Sequence, residues 1–462
     1  MTQARTLWLI FAGALFVRLA YTLGLYIALG AEAFLVEDSP LYLGLGQDFV
    51  AEGDFVRFID VERGYWPETE RMPLYVIWLA LHQWLSGSMT PLFPALTQGV
   101  VDAFACVLIA RTAMALEPRL LLPAGLIAAC NPTQFIVSAT ILTDSIFFFF
   151  VCLMLYAAIR WLREPSWRWA LLLGLALGLG VSTRVMLLPA VAALAVLLPL
   201  ALVWLRRFRP AALAQLITVV VICAALQAPI LARNINLYGS AQLTSQGGVH
   251  TLLWLAPAVL EAANGTPHAA GAQIMRARYE QEIGGPESDN PFTQSAQMSQ
   301  TAWRAIGELG AGAATKAWVT GAAITLFAPA AILSPPVSNL PRTGFFDMPG
   351  DGKWQKMSAF LFDNDNPTYG WVLLLCFLAL LAVRAAQLCG LACGVFGRTS
   401  RETPILLALL ALWMTYILLL NGPVASPKYR LPIEPFTVIL GALALLWARD
   451  WFARRAARRR AG

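Results

Sequence analysis

Charge is what this chain has least of. Only 13% of its 462 residues are charged, 58% are hydrophobic, and the mean hydropathy is +0.63. A soluble domain carries about 25% charged residues, so the polar surface needed to cover a water-soluble globule is missing. Histidine is scarcer still. The three residues His82, His250 and His268 form no ligand cluster in the sequence. The seven cysteines are scattered. Cys106, Cys130, Cys152, Cys223 and Cys376 fall inside apolar runs, and Cys389 and Cys393 have no second pair, so neither a zinc nor a disulfide framework is expected. The net charge of +6 does not argue for nucleic acid, because the basic residues gather at the ends of apolar runs and in the tail Arg454, Arg455, Arg458, Arg459 and Arg460.

What the chain does have is apolar runs from end to end. A helix needs about 20 apolar residues to cross a bilayer. Runs that meet this need lie at 7–29, 93–115, 120–137, 143–161, 169–186, 187–205, 211–231, 369–389, 404–421 and 431–449. The first carries Arg18 in its middle and is too long and too charged for the apolar core of a signal peptide, so it is expected to be a retained helix. The stretch 73–85 is too short to cross and reads as an interfacial or re-entrant helix, and 317–333 is ambiguous. The expected fold is an all-α polytopic membrane protein with about 10–12 transmembrane helices.

Cytoplasmic loops of membrane proteins are enriched in Lys and Arg. With Arg5 in the cytoplasm, crossing helix by helix puts Arg111, Arg119, Arg160, Arg163, Arg168, Arg206, Arg207, Arg209, Arg398, Arg401 and the tail on the same side, provided that 317–333 does not cross. Both termini are then cytoplasmic. Two long loops, 30–92 and 233–368, fall outside together with most of the acids. Three units follow: an N-terminal transmembrane module over 1–232 that includes the first loop, a large outer region over 233–368, and C-terminal helices with a basic tail over 369–462. Four cations lie at outer helix ends or in short outer loops against the usual bias: Arg184, Arg233, Lys428 and Arg430. An anionic lipid head group would attract them there, and so would the phosphates of the bulk leaflet.

The first loop opens Glu37-Asp38-Ser39-Pro40-Leu41-Tyr42. Ser39 suits an N-cap and Pro40 a first helical position, predicting a helix from 40 to about 52 that ends before Gly53. Asp38 at its start reads either as a cap or as an ionised general base at the membrane surface, with Glu37 as its competitor for the base. The loop closes with Arg71-Met72-Pro73, which puts a guanidinium beside a second helix start. That arrangement suits a phosphate, and it also suits an arginine that only snorkels to the interface. Asp144, after Thr143, is placed in a tight outer turn, as an N-cap or as a second functional acid. Asp102 lies inside a predicted span with no partner evident in the sequence.

Six segments in order resemble the GT-C superfamily of membrane glycosyltransferases, in the branch of protein O-mannosyltransferases and bacterial lipid A aminoarabinose transferases. They are Asp38-Ser39-Pro40-Leu41-Tyr42, Arg71-Met72-Pro73-Leu74-Tyr75, Asn131-Pro132 with Leu142-Thr143-Asp144-Ser145, Ser182-Thr183-Arg184 with Pro189, Pro229 through Asn234 with Tyr238-Gly239, and Lys428 through Pro435. The resemblance implies a bacterial inner-membrane enzyme that moves a sugar from a polyprenyl-phosphate donor, with inversion and without a metal or other cofactor, at an outer-face site. It implies Asp38 as base and Asp144 orienting donor or acceptor. It also implies Tyr42 beside them, and Arg71, Arg184, Arg233, Lys428 and Arg430 around the lipid phosphate. The expected partners are membrane lipids, the lipid-linked donor and an acceptor that is protein, lipid or glycan, with no nucleic acid. The rival reading is a transporter or flippase of lipid-linked precursors. Such proteins show repeats and broken helices in matching halves, and none is evident in this sequence.

Overall fold

The computed structural model describes residues 2–341, 348–349, 353–397 and 402–461. Arg398 and Arg401, expected on the cytoplasmic side, lie outside these residues. The chain runs as α1 (Gln3–Leu29), α2 (Ser39–Glu52), a hairpin of β1 (Val56–Asp60) and β2 (Gly64–Pro67), α3 (Pro73–Ser86), α4 (Leu92–Leu116), α5 (Leu121–Ala129), α6 (Pro132–Ser138), α7 (Asp144–Arg163), α8 (Trp167–Thr183), α9 (Leu188–Trp204) and α10 (Pro210–Tyr238). The large loop holds α11 (Gln246–His250), α12 (Ala256–Asn264), α13 (His268–Ile283), α14 (Pro291–Phe327), α15 (Pro335–Ser338) and α16 (Lys353–Phe362). It is followed by α17 (Pro367–Phe396), α18 (Thr403–Asn421) and α19 (Glu434–Ala461).

This is a polytopic all-α membrane fold. Among the described residues eight helices are long and apolar enough to cross a membrane: Gln3–Leu29, Leu92–Leu116, Asp144–Arg163, Val185–Trp204, Pro210–Tyr238, Pro367–Phe396, Thr403–Asn421 and Pro427–Arg458. The two other expected spans are shorter or broken. Trp167–Thr183 is a shorter apolar helix, and 120–137 is a pair bent by 52° at Asn131–Pro132. The ambiguous run 317–333 begins inside α14. One apolar core links α1, α4, α5, α7, α8 and α10 with α18 and α19, so the C-terminal helices pack into the N-terminal module. The expected boundary at 232 falls within α10, which continues to Tyr238.

The bend in the α5–α6 pair has a definite cause. Pro132 has no N–H, so the carbonyl of Ala128 loses its helical donor. Arg18, fully buried in α1, replaces it. The guanidinium donates to the Ala128 and Ala129 carbonyls at 3.2 and 2.6 Å, and to Asp102 at 2.7 Å, Cys106 at 3.0 Å and Gln134 at 3.1 Å. Asp102 therefore has a partner after all. It is an arginine 84 positions away, which no local pattern reveals.

Two more features position the ends of the bundle. At one end, Glu402 at the start of α18 pairs with Arg163 and Arg207, and Arg119 pairs with Asp450, so the basic loop ends collect together as the charge pattern expects. At the other end α14 is bent at Gly310, whose φ of +86° is strained for an L side chain. Its first half packs on α12 and α13. Its second half meets the turn after α18, where the Trp318 indole donates to the Leu419 carbonyl at 3.1 Å and Gly321 lies against Gly422.

Candidate active site

Two local signals build the first side of the site. The helix begun by Ser39-Pro40 ends at Gly53, whose left-handed φ of +69° closes it where the sequence predicts. Asp38 stands at its start but caps nothing: its carboxylate makes no hydrogen bond to the helix amides. The capping reading is thereby corrected. Ser39 is committed too, since its hydroxyl accepts from the Val36 amide and donates to the Ile141 carbonyl at 2.9 Å. Asp38 is left 56% exposed, with one oxygen 3.9 Å from an Arg71 nitrogen. Arg71 is mostly buried just before α3, and its guanidinium lies over the Tyr42 ring, 5.9 Å from the centroid. Its Nε is buried without a hydrogen-bond partner.

The second side comes from the turn before α7. The Ile141 amide donates to the Phe34 carbonyl at 2.9 Å, and Gln98 donates to the carbonyls of Ser138 and Thr140. The Tyr75 hydroxyl donates to Gln98 at 2.7 Å, and the Tyr75 ring packs edge-on against Tyr42. These bonds hold the second acidic turn against α2 and α3. Asp144 begins α7 with its side chain buried and accepts from Arg184 at 2.7 Å through one oxygen. Its other oxygen is buried and has no hydrogen-bond partner.

Tyr42 sits between the two sides. Burial raises its pKa most, the Arg71 and Arg184 cations pull it back, and the Asp38 and Asp144 carboxylates push it up. The phenol therefore stays protonated and available as a donor. His250, at the end of α11, was not expected here. Burial and then the Arg184 charge lower its pKa, which keeps the imidazole neutral near pH 7. The five residues that follow it, Thr251–Leu255, form a π-helical turn of a kind frequent at functional sites.

Asp38, Tyr42, Arg71, Asp144 and Arg184 thus come together. Arg233 and Arg430 are differently engaged. Arg233 donates to the carbonyls of Phe55 and Glu68 and to Asn234, and so fastens the base of the hairpin. Arg430 is buried, pairs with Glu434 at 3.2 Å and donates to Thr133 and the Ala328 carbonyl. Among the described residues, no hydrogen bond or ion pair joins either one to Asp38 or Asp144. Their N–H groups serve loop carbonyls and protein side chains, which is why two of the expected phosphate cations stand apart. Lys428 is half-buried beside the Tyr429 ring, and Tyr429 lies within the field of Arg184. No group of three or more His, Cys, Asp or Glu side chains among the described residues is arranged to hold a metal ion.

Comparison with known proteins agrees with this architecture. A family model described as dolichyl-phosphate-mannose-protein mannosyltransferase matches residues 86–236, less than half of the chain. None of the curated proteins compared with it matches. The archaeal oligosaccharyltransferase AglB from Archaeoglobus fulgidus, solved with an inhibitory peptide and a dolichol-phosphate, is similar with a TM-score of 0.56 at 13% identity, over 99% of this chain and 52% of that one. The apo form of the A. fulgidus oligosaccharyltransferase gives 0.55 at 13% identity, over 99% and 52%. The chain therefore spans about half the length of these relatives, and at such identity the likeness defines the fold. ArnT from Cupriavidus metallidurans in the apo state is 15% identical, over 96% of this chain and 77% of that one, with a TM-score of 0.38, too low to add to the assignment.

Proposed function

We propose, for a chain with the GT-C membrane glycosyltransferase fold, that it transfers a sugar from a polyprenyl-phosphate carrier to an acceptor hydroxyl or amine at the outer face of the membrane. In this scheme Asp38 takes the acceptor proton as the acceptor atom bonds to the anomeric carbon. The bond from that carbon to the phosphate oxygen breaks, and the lipid phosphate leaves with the electron pair. A single displacement inverts the anomeric centre. Arg71 and Arg184 meet the charge that develops on the leaving phosphate. The free oxygen of Asp144 accepts from a donor or acceptor hydroxyl, and the Tyr42 phenol donates into the same space. Arg233 and Arg430 act at one remove, holding the surrounding loops.

The observation that carries this reading is the contrast within the site. One carboxylate is exposed and only loosely paired at 3.9 Å, while the other is buried with one oxygen bound to an arginine and one oxygen free. Similarity to a dolichyl-phosphate-mannose-protein mannosyltransferase family and to an oligosaccharyltransferase solved with dolichol-phosphate supports a lipid-phosphate donor. The transporter reading expects broken helices in both halves, whereas one bent pair is present among the described residues. On this scheme the termini face the cytoplasm of a bacterial inner membrane, and the two arginines make a metal unnecessary. The test is transfer from a polyprenyl-phosphate sugar by membranes that carry the native chain or Asp38→Asn. Loss of transfer in a folded variant supports the base, and unchanged transfer overturns it. Chelation with EDTA is expected to leave the native rate unchanged, and a rate restored only by added divalent ions would refute the metal-free scheme.

A further inference from the structure

Arg71 does not hold itself in place. It follows the hairpin, and the four residues before it carry an unusual load of bonds. Glu68 is only 2% exposed. One of its carboxylate oxygens accepts from the backbone amides of both Glu70 and Arg71, at 2.6 and 2.8 Å. The other accepts from Arg57 on β1 at 2.5 Å. Arg57 also reaches Glu70 at 3.2 Å. The backbone of Glu68 is fixed as well, since Arg233 donates to its carbonyl at 2.6 Å and its amide donates to the Phe55 carbonyl at 3.1 Å. From the large loop, the Ser245 amide donates to the Thr69 carbonyl at 2.8 Å, and the two hydroxyls meet at 2.9 Å.

We infer that Glu68 is a positioning residue for Arg71: its carboxylate folds the turn from which the guanidinium reaches Asp38 and Tyr42, and it gives the site its phosphate affinity through that arginine alone. Two backbone amides accepted by one ionised oxygen make a rigid turn, because charge-assisted bonds of this kind are short and strong. Arg57 neutralises the remaining oxygen, which makes a buried carboxylate tolerable there. Without Glu68 the amides of Glu70 and Arg71 lose their acceptor, and the segment is free to rotate Arg71 away from Tyr42. Glu68 itself touches no substrate. Its location explains why an acid buried at the foot of a hairpin stands three residues before the arginine.

The inference rests on the lipid-phosphate reading, and a binding experiment separates the two. Undecaprenyl phosphate binding is measured on the purified full chain in detergent, with thermal melting as the check on folding. The native chain is expected to bind, and Arg71→Ala to bind about 100-fold more weakly. Glu68→Ala is expected to weaken binding about tenfold in the native background and to have no further effect in the Arg71→Ala background, the non-additivity expected of residues that act as a unit. Glu68→Gln keeps an acceptor for both amides and is expected to stay within about threefold of native. Should Glu68→Ala fail to fold, Arg57→Met loosens the same carboxylate without removing its bonds to the amides, and it is expected to show the same dependence on Arg71. Equal weakening with and without Arg71, or none at all, overturns the inference and leaves the donor reading standing. No binding by the native chain overturns both.

Discussion

Two of the arginine–aspartate pairs in the molecule look alike in composition and differ in burial, distance and partners. Arg18 and Asp102 are fully buried, 2.7 Å apart, and the arginine has further acceptors from three helices. Arg71 and Asp38 lie at the loop-rich end, 3.9 Å apart, with the acid half exposed and the arginine Nε unpartnered. A buried charge is tolerated only when it is paired and hydrogen-bonded; in the first pair Arg18 is spent on protein acceptors, and Asp102, with Oδ1 buried and unpartnered, is sealed from solvent. The second retains unused donors and a free carboxylate, which is the condition for meeting a substrate. The residue types therefore do not separate structural from chemical charge; the exposure of the acid does. Asp144 and Arg184 stand between the extremes, tightly joined on one side and open on the other.

The comparison breaks if neutralising one member of each pair has the same effect. Asp38→Asn is expected to lower transfer by about 10²–10⁴-fold, the usual contribution of general acid–base catalysis, with the melting temperature unchanged. Rate and melting measured on the same preparation check this, and a comparable loss of stability would place Asp38 with the structural pair. Arg18→Met is expected to do the reverse, destabilising the fold by about 3–5 kcal/mol through the unpaired Asp102. Thermal melting in detergent checks it. The double change Arg18→Met/Asp102→Leu should recover only part of that loss, because the Ala129 carbonyl remains without the Arg18 donor.

The intermediate pair sharpens the contrast. Arg184→Lys is expected to keep the fold and lower transfer by about tenfold, since an ammonium lacks the planar fork that can bind Asp144 and a phosphate together. A rate near that of the native chain would move Arg184 to the structural class. The smallest effect concerns His250. Its pKa in the folded chain lies below the 6.5 of an ordinary histidine, so the unfolded chain takes up the proton first as the pH falls. Stability from this group is full above pH 6.5 and declines below it until the folded imidazole also protonates. Melting followed between about pH 7 and pH 5 should show that decline, and His250→Gln should flatten it.

Much of this was legible in the sequence where a local rule applied. Ser39-Pro40 and Gly53 delimit a helix, Pro73 starts another, and arginines in outer turns are conspicuous because orientation disfavours them. Local rules drew attention to Asp38, Arg71 and Arg184, and the family resemblance added Tyr42 and the role of Asp144. What escaped was set by distant contacts. Arg18 reaches residues more than 80 positions away, and Arg430 reaches Thr133 across 297. Neither the partner of Asp102 nor the engagement of Arg430 leaves a periodic trace. Glu68 was hidden because Glu68-Thr69-Glu70 reads as an ordinary acidic loop, and His250 because its neighbour Arg184 arrives from another helix.

The bend at Gly310 has a consequence of phase. Beyond it, α14 continues as one unbroken rod to Phe327, and that rod delivers Trp318 and Gly321 to the turn that leads to Lys428. Adding or deleting one residue between 311 and 317 would turn everything beyond by about 100°, swinging Gly321 off Gly422 and pointing a larger side chain at a backbone that leaves no room for one. The count of residues in this stretch is therefore held more tightly than their identity.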